Sequence, residues 1–298
     1  MAKRKSKKQT KKLIGLIIAI ILAFFAYEAK DLTVTTDAEF TDGSVYVHFI
    51  DVGQGSSTLI QKGTAGVLID AGEKDYGNVV VKYLKKVGIT ELEFAVASHP
   101  HSDHIGGLDE VLNAFPTEKI ILPELEEFNT PTTRVYEDLL EAIYDNGTVA
   151  EFIFDEGYHV NLVDDNIRVS AIAPVKQDDN LNNMSILCYI TAYNSTFAVL
   201  ADAEKDELRS IYNETIYDFE ADVIALGHHG SRTSIYEPYL DEVDADVAVI
   251  SCGTGNSYGH PHQEALDYVS QRNMNCLRTD EKGNIIFKVT EEGYSLVA

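Results

Sequence analysis

The 298-residue chain contains no tryptophan, only three cysteines and three methionines, and just seven prolines. Its cysteines, Cys188, Cys252 and Cys276, are odd in number and show no Cys-x-x-Cys spacing, so no disulfide framework is indicated. Cys188 and Cys252 lie in the apolar runs SILCYI and VAVISCG and read as small buried hydrophobes. No proline- or glycine-rich linker divides the chain, and no internal repeat is present. Positive charge is scarce as well. Of 24 Lys+Arg against 48 Asp+Glu, eight basic residues and one acid (Glu28) fall in residues 1–30, leaving 16 against 47, a formal charge of −31. Over a Debye length of about 10 Å such a surface repels polyanions, which argues against tight, sequence-independent nucleic-acid binding by cationic side chains. A pocket holding divalent metal can still reverse the sign locally.

Long apolar runs are also rare, with one exception. KRKSKKQTKK leads into LIGLIIAIILAFFAY, residues 13–27. This run is short against the roughly 20 residues of a bilayer span, but its basic flank suits a signal anchor. The exit, FFAYEAKD, offers no small-x-small cleavage site. The expected organisation is a basic cytoplasmic tail (1–12), a transmembrane signal anchor (13–27), a polar stalk (28–43) and one catalytic domain (44–298). By the positive-inside rule the protein is single-pass in the cell membrane with that domain on the extracellular side.

From Val45 the pattern alternates short apolar strands with helices. VYVHFI, STLIQ and GVLIDAG read as strands, NVVVKYLKKV as a helix stopped by Gly88, and FAVAS as a buried strand. LDEVLNAF and residues 133–144 read as helices, the second closed by Asn146-Gly147. RVSAIAP, SILCYITAY, TFAVLAD, DVIALG and DVAVIS read as strands, with helices at EKDELRSIYN and from Gln263 to Arg272, and the end of the chain returns to strands. Hairpin-rich strands punctuated by helices predict an α/β fold of two sheets with helices outside.

Seven of the nine histidines fall in three loop clusters, each after a predicted strand: His99/His101/His104, His228/His229 and His260/His262. Strand ends are where an α/β protein gathers groups distant in sequence. His48 and His159 stand alone and read as ordinary side chains. In His99-Pro100-His101-Ser102-Asp103-His104, imidazole and carboxylate form a ligand set suited to Zn²⁺ and, with more oxygen, Mn²⁺. Four ligands within six residues crowd a single tetrahedral ion. They fit two ions better, with His99 and His101 on one and Asp103 and His104 on the other. Gly106-Gly107 is expected to let the chain turn into the next helix without Cβ conflict.

HPHSDHIGG resembles the His-x-His-x-Asp-His signature of the metallo-β-lactamase superfamily. More narrowly, the chain resembles the hydrolase domain of the ComEC competence-protein family. The blocks are VHFIDVGQG (47–55), VLIDAG (67–72), SHPHSDHIGG (98–107), NNMSIL (182–187), FAVLADAE (197–204), GHHGSRTS (227–234) and YGHPH (258–262), in family order. The resemblance implies a four-layer αββα metallo-β-lactamase sandwich binding two divalent metal ions, zinc foremost and manganese as the alternative. It implies that Asp202 bridges the ions, that His228 completes the second site, that Asp70 braces the metal loop and that His260 lies near a substrate phosphate. Read from the residues alone, His228 and His229 are both candidates, with His228 preferred because it comes first off its strand. Asp103 and His260 are the candidate catalytic residues, and His229, Ser231 and Asn183 the candidate substrate-binding residues.

Two departures from the resemblance stand out. The DDNLNNMSIL region holds no histidine where many superfamily hydrolases supply one to the first metal; Asn183 is the nearest match. That makes a true β-lactamase a poor expectation. ComEC proteins also usually carry Asp where this chain has His101, and this sequence does not include their many membrane spans. The expected activity is a phosphodiesterase or nuclease in which metal-activated water attacks phosphorus, with His260 or His229 protonating the leaving oxygen and single-stranded DNA as a candidate substrate. The alternatives are a hydrolase of a cell-wall phosphoester, lactone or carboxylic ester, and a tethered module without catalysis.

Overall fold

A computed structural model describes residue 40, residues 42–155, the backbone of residues 158–164, and residues 166–298. The expected tail (1–12) and anchor (13–27), and most of the stalk, lie outside the described residues. Among the described residues no helix is long and apolar enough to cross a membrane.

The described strands are β1 (Val45–Phe49), β2 (Thr58–Lys62), β3 (Ala65–Ile69), β4 (Glu91–Val96), β5 (Thr117–Pro123), β6 (Val149–Ile153), β7 (Tyr158–Asp164), β8 (Ile167–Ile172), β9 (Leu187–Ala192), β10 (Ser195–Val199), β11 (Val223–Ala225), β12 (Val247–Ile250), β13 (Asn275–Arg278), β14 (Ile285–Thr290) and β15 (Gly293–Leu296). One sheet runs β15-β14-β1-β2-β3-β4-β5-β6 and the other β13-β12-β11-β10-β9-β8-β7. The helices are α1 (Gly77–Lys86), α2 (Ser102–Ile105), α3 (Leu108–Ala114), α4 (Arg134–Asn146), α5 (Lys205–Glu214), α6 (Glu237–Val243), α7 (Gln263–Gln271) and α8 (Thr279–Lys282).

Period-2 alternation explains why the strands are apolar on both faces. In β3, Val67 and Ile69 face the other sheet, joining Phe49, Phe287, Val169, Phe197 and Val249 in a shared core. Leu68, between them, faces outward onto Val80 and Leu84 of α1, Val111 of α3 and Leu139 of α4. On the second sheet Tyr189, Ala198 and Ile224 turn outward onto Leu208 of α5, Leu240 of α6 and Tyr268 of α7. Four layers result, helix–sheet–sheet–helix. Helix α4 ends as its sequence implies, with Thr133 accepting from Tyr136 N at the start and Gly147 at φ 67° in the left-handed cap.

Strands β6 and β7 have no counterpart in the sequence reading. Each closes one sheet, and four of the five β6 residues stay at least partly exposed. An edge strand packed on one side carries polar residues such as Glu151 and so lacks the apolar run that marks an interior strand. At the end of the predicted stalk, Phe40 packs edge-on against Tyr46 with ring centroids 4.8 Å apart, and Asp42 accepts from Ser44 N at 3.0 Å.

The strands β3 to β6 are mutually parallel, as are β10 to β13. Their C-terminal ends therefore gather on one side of each sheet, the arrangement that brings loops distant in sequence together.

The shared core makes a stability prediction. Phe287 contacts Phe49 and Tyr294 of its own sheet and Phe197 of the facing one, so Phe287→Ala is expected to cost about 3–5 kcal/mol. Val149→Ala on exposed β6 should change stability by no more than about 0.5 kcal/mol. Urea denaturation of both variants measures the difference.

Candidate metal centre

Asp70 follows β3, Ser98 and His99 follow β4, Asp202 follows β10, and His228 and His229 follow β11. The backbone bends sharply to deliver them. Asp70, Ala201, His228 and His229 all sit at φ between 46° and 60°, a left-handed conformation that side chains other than glycine avoid. Glycines make room for the approach. A Cβ on Gly55 would stand 2.5 Å from the Asp103 carbonyl oxygen, next to the Ser56 N–H that donates to that oxygen at 3.1 Å. Gly106 and Gly107 have ordinary helical or near-helical φ, −57° and −97°. Their requirement is space, as the expected Cβ conflict implies: a Cβ on Gly106 would lie 2.3 Å from Lys74 N and one on Gly107 2.5 Å from the Ala71 carbonyl oxygen.

Ligand atoms of Asp103, His104, Asp202 and His229 converge within 4.8 Å of one another. The hydrogen bonds behind them fix which atoms point inward. His104 Nδ1 lies 2.6 Å from Asp70 Oδ2, and Asp70 is itself held by Ser98 N at 2.8 Å and Ser98 Oγ at 2.6 Å. A carboxylate accepts, so Nδ1 of His104 carries a proton, and in the neutral ring that binds a metal Nε2 presents its lone pair. His229 Nδ1 donates to the Ser251 carbonyl oxygen at 2.9 Å, which turns its Nε2 lone pair inward in the same way.

These lone pairs meet carboxylates. His104 Nε2 is 3.0 Å from Asp202 Oδ1, and both atoms are buried without a hydrogen-bond partner. His229 Nε2 is 3.1 Å from Asp103 Oδ2. Two acceptors at such separations repel unless a cation or a proton lies between them. The donor set and its orphaned atoms therefore fit a divalent ion, which Asp103, His104, Asp202 and His229 would hold.

A second group adjoins the first. His99 Nε2 is 3.1 Å from His101 Nδ1 and 3.9 Å from Asp202 Oδ2. Asp202 thus offers one oxygen toward His104 and the other toward His99, the placement a bridging carboxylate needs. With no third histidine in DDNLNNMSIL, His99 and His101 adjoin the centre through Asp202 without forming a second converging set of three or more ligands among the described residues.

His228 occupies a different place from the one preferred on sequence grounds. Its Nε2 lies 3.8 Å from Asp202 Oδ2, but its Nδ1 pairs with Glu204 Oε1 at 3.1 Å, and the four-donor group contains His229 in its stead. The reason is the pair of left-handed residues, which swings His229 and not the first histidine off the strand into the centre. Glu204 also accepts from Thr233 Oγ1, Asn180 Nδ2 and Asn182 Nδ2.

A cleft of about 310 Å³ opens over the centre, lined by His101, Asp103, Asp202, His228, His229 and His260 among others. Asn183 and Ser231 are buried and do not line it. Asn183 donates to Asp178 Oδ2 at 2.9 Å, and Ser231 Oγ accepts from Thr233 N to cap the short helix Arg232–Ser234. Asn182 lines the cleft. The sequence reading missed Ser98, Asn182, Glu204 and the Ser251 carbonyl. Glu204 was within sight, two residues beyond Asp202, but its reach to His228 exists only in the fold.

Burial and neighbours set the charges. Burial opposes ionisation of His104, yet Asp202 and Asp70 together hold it well above the ordinary imidazole range. Burial would raise Asp202, and the surrounding His104 and His229 hold it well below the carboxylate range. Burial pushes His99 well below its usual value, and His104 adds to this. His260 is pushed down to about 4 by burial and then by His229 and His228.

The signs give a pH prediction. The elevated His104 stabilises the metal-free chain fully below its unfolded value near 6.5 and loses that contribution as pH rises through the folded value. The depressed Asp202 contributes above the ordinary 3.8 and fades only in acid. The metal-free chain should therefore lose thermal stability from neutral to alkaline pH, and saturating zinc should abolish that decline because the ion replaces the proton. Calorimetry across pH with and without zinc measures it, and a flat metal-free profile would contradict it. In addition, Asp70→Asn is expected to weaken zinc affinity by about 10–100-fold, measured by chelator competition.

The metallo-beta-lactamase superfamily description matches residues 50–175. ComE operon protein 3 of Bacillus subtilis is 27% identical over 263 residues, covering 81% of this chain and 33% of its own length. Recombination protein 2 of Haemophilus influenzae is 31% identical over 227 residues, covering 74% and 26%. Competence protein ComA of Neisseria gonorrhoeae is 27% identical over 244 residues, covering 82% and 32%. The chain thus spans about a third or less of these relatives. Among solved structures, CmlA, a diiron β-hydroxylase from Streptomyces venezuelae, superposes with a TM-score of 0.54 at 12% identity, covering 83% of this chain and 55% of that one. Identity so low speaks for the fold alone, and a hydroxylase on this fold shows that reaction type resides in the site. On these grounds residues 50–175 belong to the metallo-β-lactamase superfamily, the chain's sequence similarity runs to the competence proteins, and a metallo-hydrolase is the activity they support.

Proposed function

We propose that the domain is a metal-dependent phosphodiesterase acting on single-stranded nucleic acid outside the membrane, to which residues 1–27 anchor it. The observation that carries the metal requirement is the facing of imidazole lone pairs onto carboxylates at 3.0 and 3.1 Å. The phosphodiester preference draws support from the similarity to competence proteins and from an open, polar cleft. Bound divalent ions supply Lewis acidity and a water that loses its proton near neutral pH.

The chain's own residues then have distinct tasks. Asp70, through Ser98 and His104, locks the ligand tautomer, and the Ser251 carbonyl does the same for His229. Asp202 stands between the two donor groups. His228 lines the cleft with its Nδ1 3.1 Å from Glu204 Oε1, an anchor that places its ring to hydrogen-bond and orient a phosphoryl oxygen. His260 is neutral near pH 7 and is placed in the cleft wall as a hydrogen-bonding group.

The test is a substrate panel. Purified protein loaded with zinc or manganese is assayed on a bis-aryl phosphodiester, single-stranded DNA, a phosphocholine ester and a lactone, with metal content measured in parallel. Cleavage of the diester and of DNA is expected, with Asp103→Ala lowering turnover by at least about 10²-fold. Cleavage of the phosphocholine ester or lactone alone would move the assignment to the second reading. Two equivalents of metal with no turnover on any substrate would leave the binding-module reading.

A further inference from the structure

Among the described residues, those lining the cleft include no lysine and no arginine, and the chain beyond residue 30 carries 16 basic against 47 acidic residues. Single-strand binders usually draw affinity from basic grooves together with aromatic faces on which bases stack. The first source is missing from this cleft. The second is present in one residue: among the described residues, Tyr258 is the one large hydrophobic side chain that both lines the cleft and is strongly exposed, at 66%.

Its position is built. The ring lies nearly parallel to His260, with centroids 5.7 Å apart and planes 24° apart. His260 in turn stands 5.4 Å from the His228 ring and 6.2 Å from His229. Tyr258 is therefore one ring further out than the histidines of the centre. Asn256 fastens the loop that presents it. Asn256 Oδ1 accepts from Tyr258 N at 3.1 Å and His260 N at 3.0 Å, while its Nδ2 donates to the Gly253 and His260 carbonyls at 3.0 and 2.6 Å. A pinned backbone with an open aromatic face gives a platform that loses little freedom when a planar ligand settles on it.

Resting on the phosphodiesterase reading above, we propose that Tyr258 is the stacking platform for the nucleobase beside the scissile phosphate. The cleft would then select nucleic-acid diesters by an aromatic face, and not by cationic side chains. Stacking needs no charge complementarity, which reconciles an acidic domain with a polyanionic substrate once the phosphate is met at the metal centre.

The experiment uses the full chain loaded with manganese or zinc, and compares wild type, Tyr258→Ala and Tyr258→Phe on a single-stranded oligonucleotide and on the same strand with one abasic site. Equilibrium binding is followed in parallel with a 2-aminopurine strand, whose fluorescence is quenched by stacking. Tyr258→Ala is expected to raise KM for the intact strand by about tenfold, to change KM for the abasic strand by less than about twofold, and to lose the quenching, while Tyr258→Phe retains all three wild-type values. KM should also depend weakly on salt, since few counterions are released. An equal rise in KM on intact and abasic strands, or no rise on either, overturns the platform while leaving the phosphodiesterase reading intact. A wild-type chain that cleaves small esters but neither cleaves nor quenches an oligonucleotide overturns both. Unchanged thermal midpoints exclude misfolding as the cause.

Discussion

Two imidazole nitrogens, each with its proton engaged on the far side of the ring, face two carboxylates across little more than a hydrogen-bond length, and the cleft is arranged to keep them there. His104 is held from behind by Asp70 and His229 by the Ser251 carbonyl, so neither can rotate its donor toward Asp202 or Asp103. Buried acceptors left facing one another cost several kcal/mol unless something positive lies between them. The strain around them has the same origin. Four residues next to the centre adopt left-handed backbone, a conformation worth roughly 1–3 kcal/mol each where the surroundings must enforce it. Side chains this constrained are preorganised ligands and poor contributors to stability in their own right.

The sandwich makes that constraint possible. Parallel strands β3–β4 and β10–β11–β12 finish on the same side of their sheets, and the shared core holds the two sheets at fixed separation. Asp70 and Ser98 come from one sheet, Asp202, His229 and Ser251 from the other. A centre assembled across the layers is as rigid as the packing between them. His99, His104 and His229 are buried along with the strand ends that carry them, which explains why burial competes with charge in setting the titration of each of these three.

Acidity and function are less opposed than composition suggests. The domain is rich in acidic residues, and among the described residues the cleft lining holds no lysine or arginine. On the proposal above, charge recognition is concentrated at the metal-binding group, while Tyr258 at the rim supplies contact area that is indifferent to sign. Glu204 illustrates how the acids nearest the centre are employed. It does not face the cleft as a free anion but is spent on His228, Thr233 and two asparagines.

Much of this was legible in the primary chain. The strands from Val45, the helix closed by Asn146-Gly147, the clustering of histidines at strand ends and the HPHSDHIGG loop all follow from local rules: alternation, capping and the chemistry of neighbouring side chains. The edge strands β6 and β7 did not; β6 buries one residue in five and lacks the apolar run that betrays an interior strand. Nor could sequence choose between His228 and His229, adjacent residues of identical chemistry. Two left-handed backbone angles and a carbonyl 22 residues away in the chain made that choice. The sequence by itself determined which residue types were available and on which loops. Only the tertiary structure decided which of their atoms converge, because convergence is a property of strand ends brought together by packing, and packing depends on contacts between residues far apart in the chain.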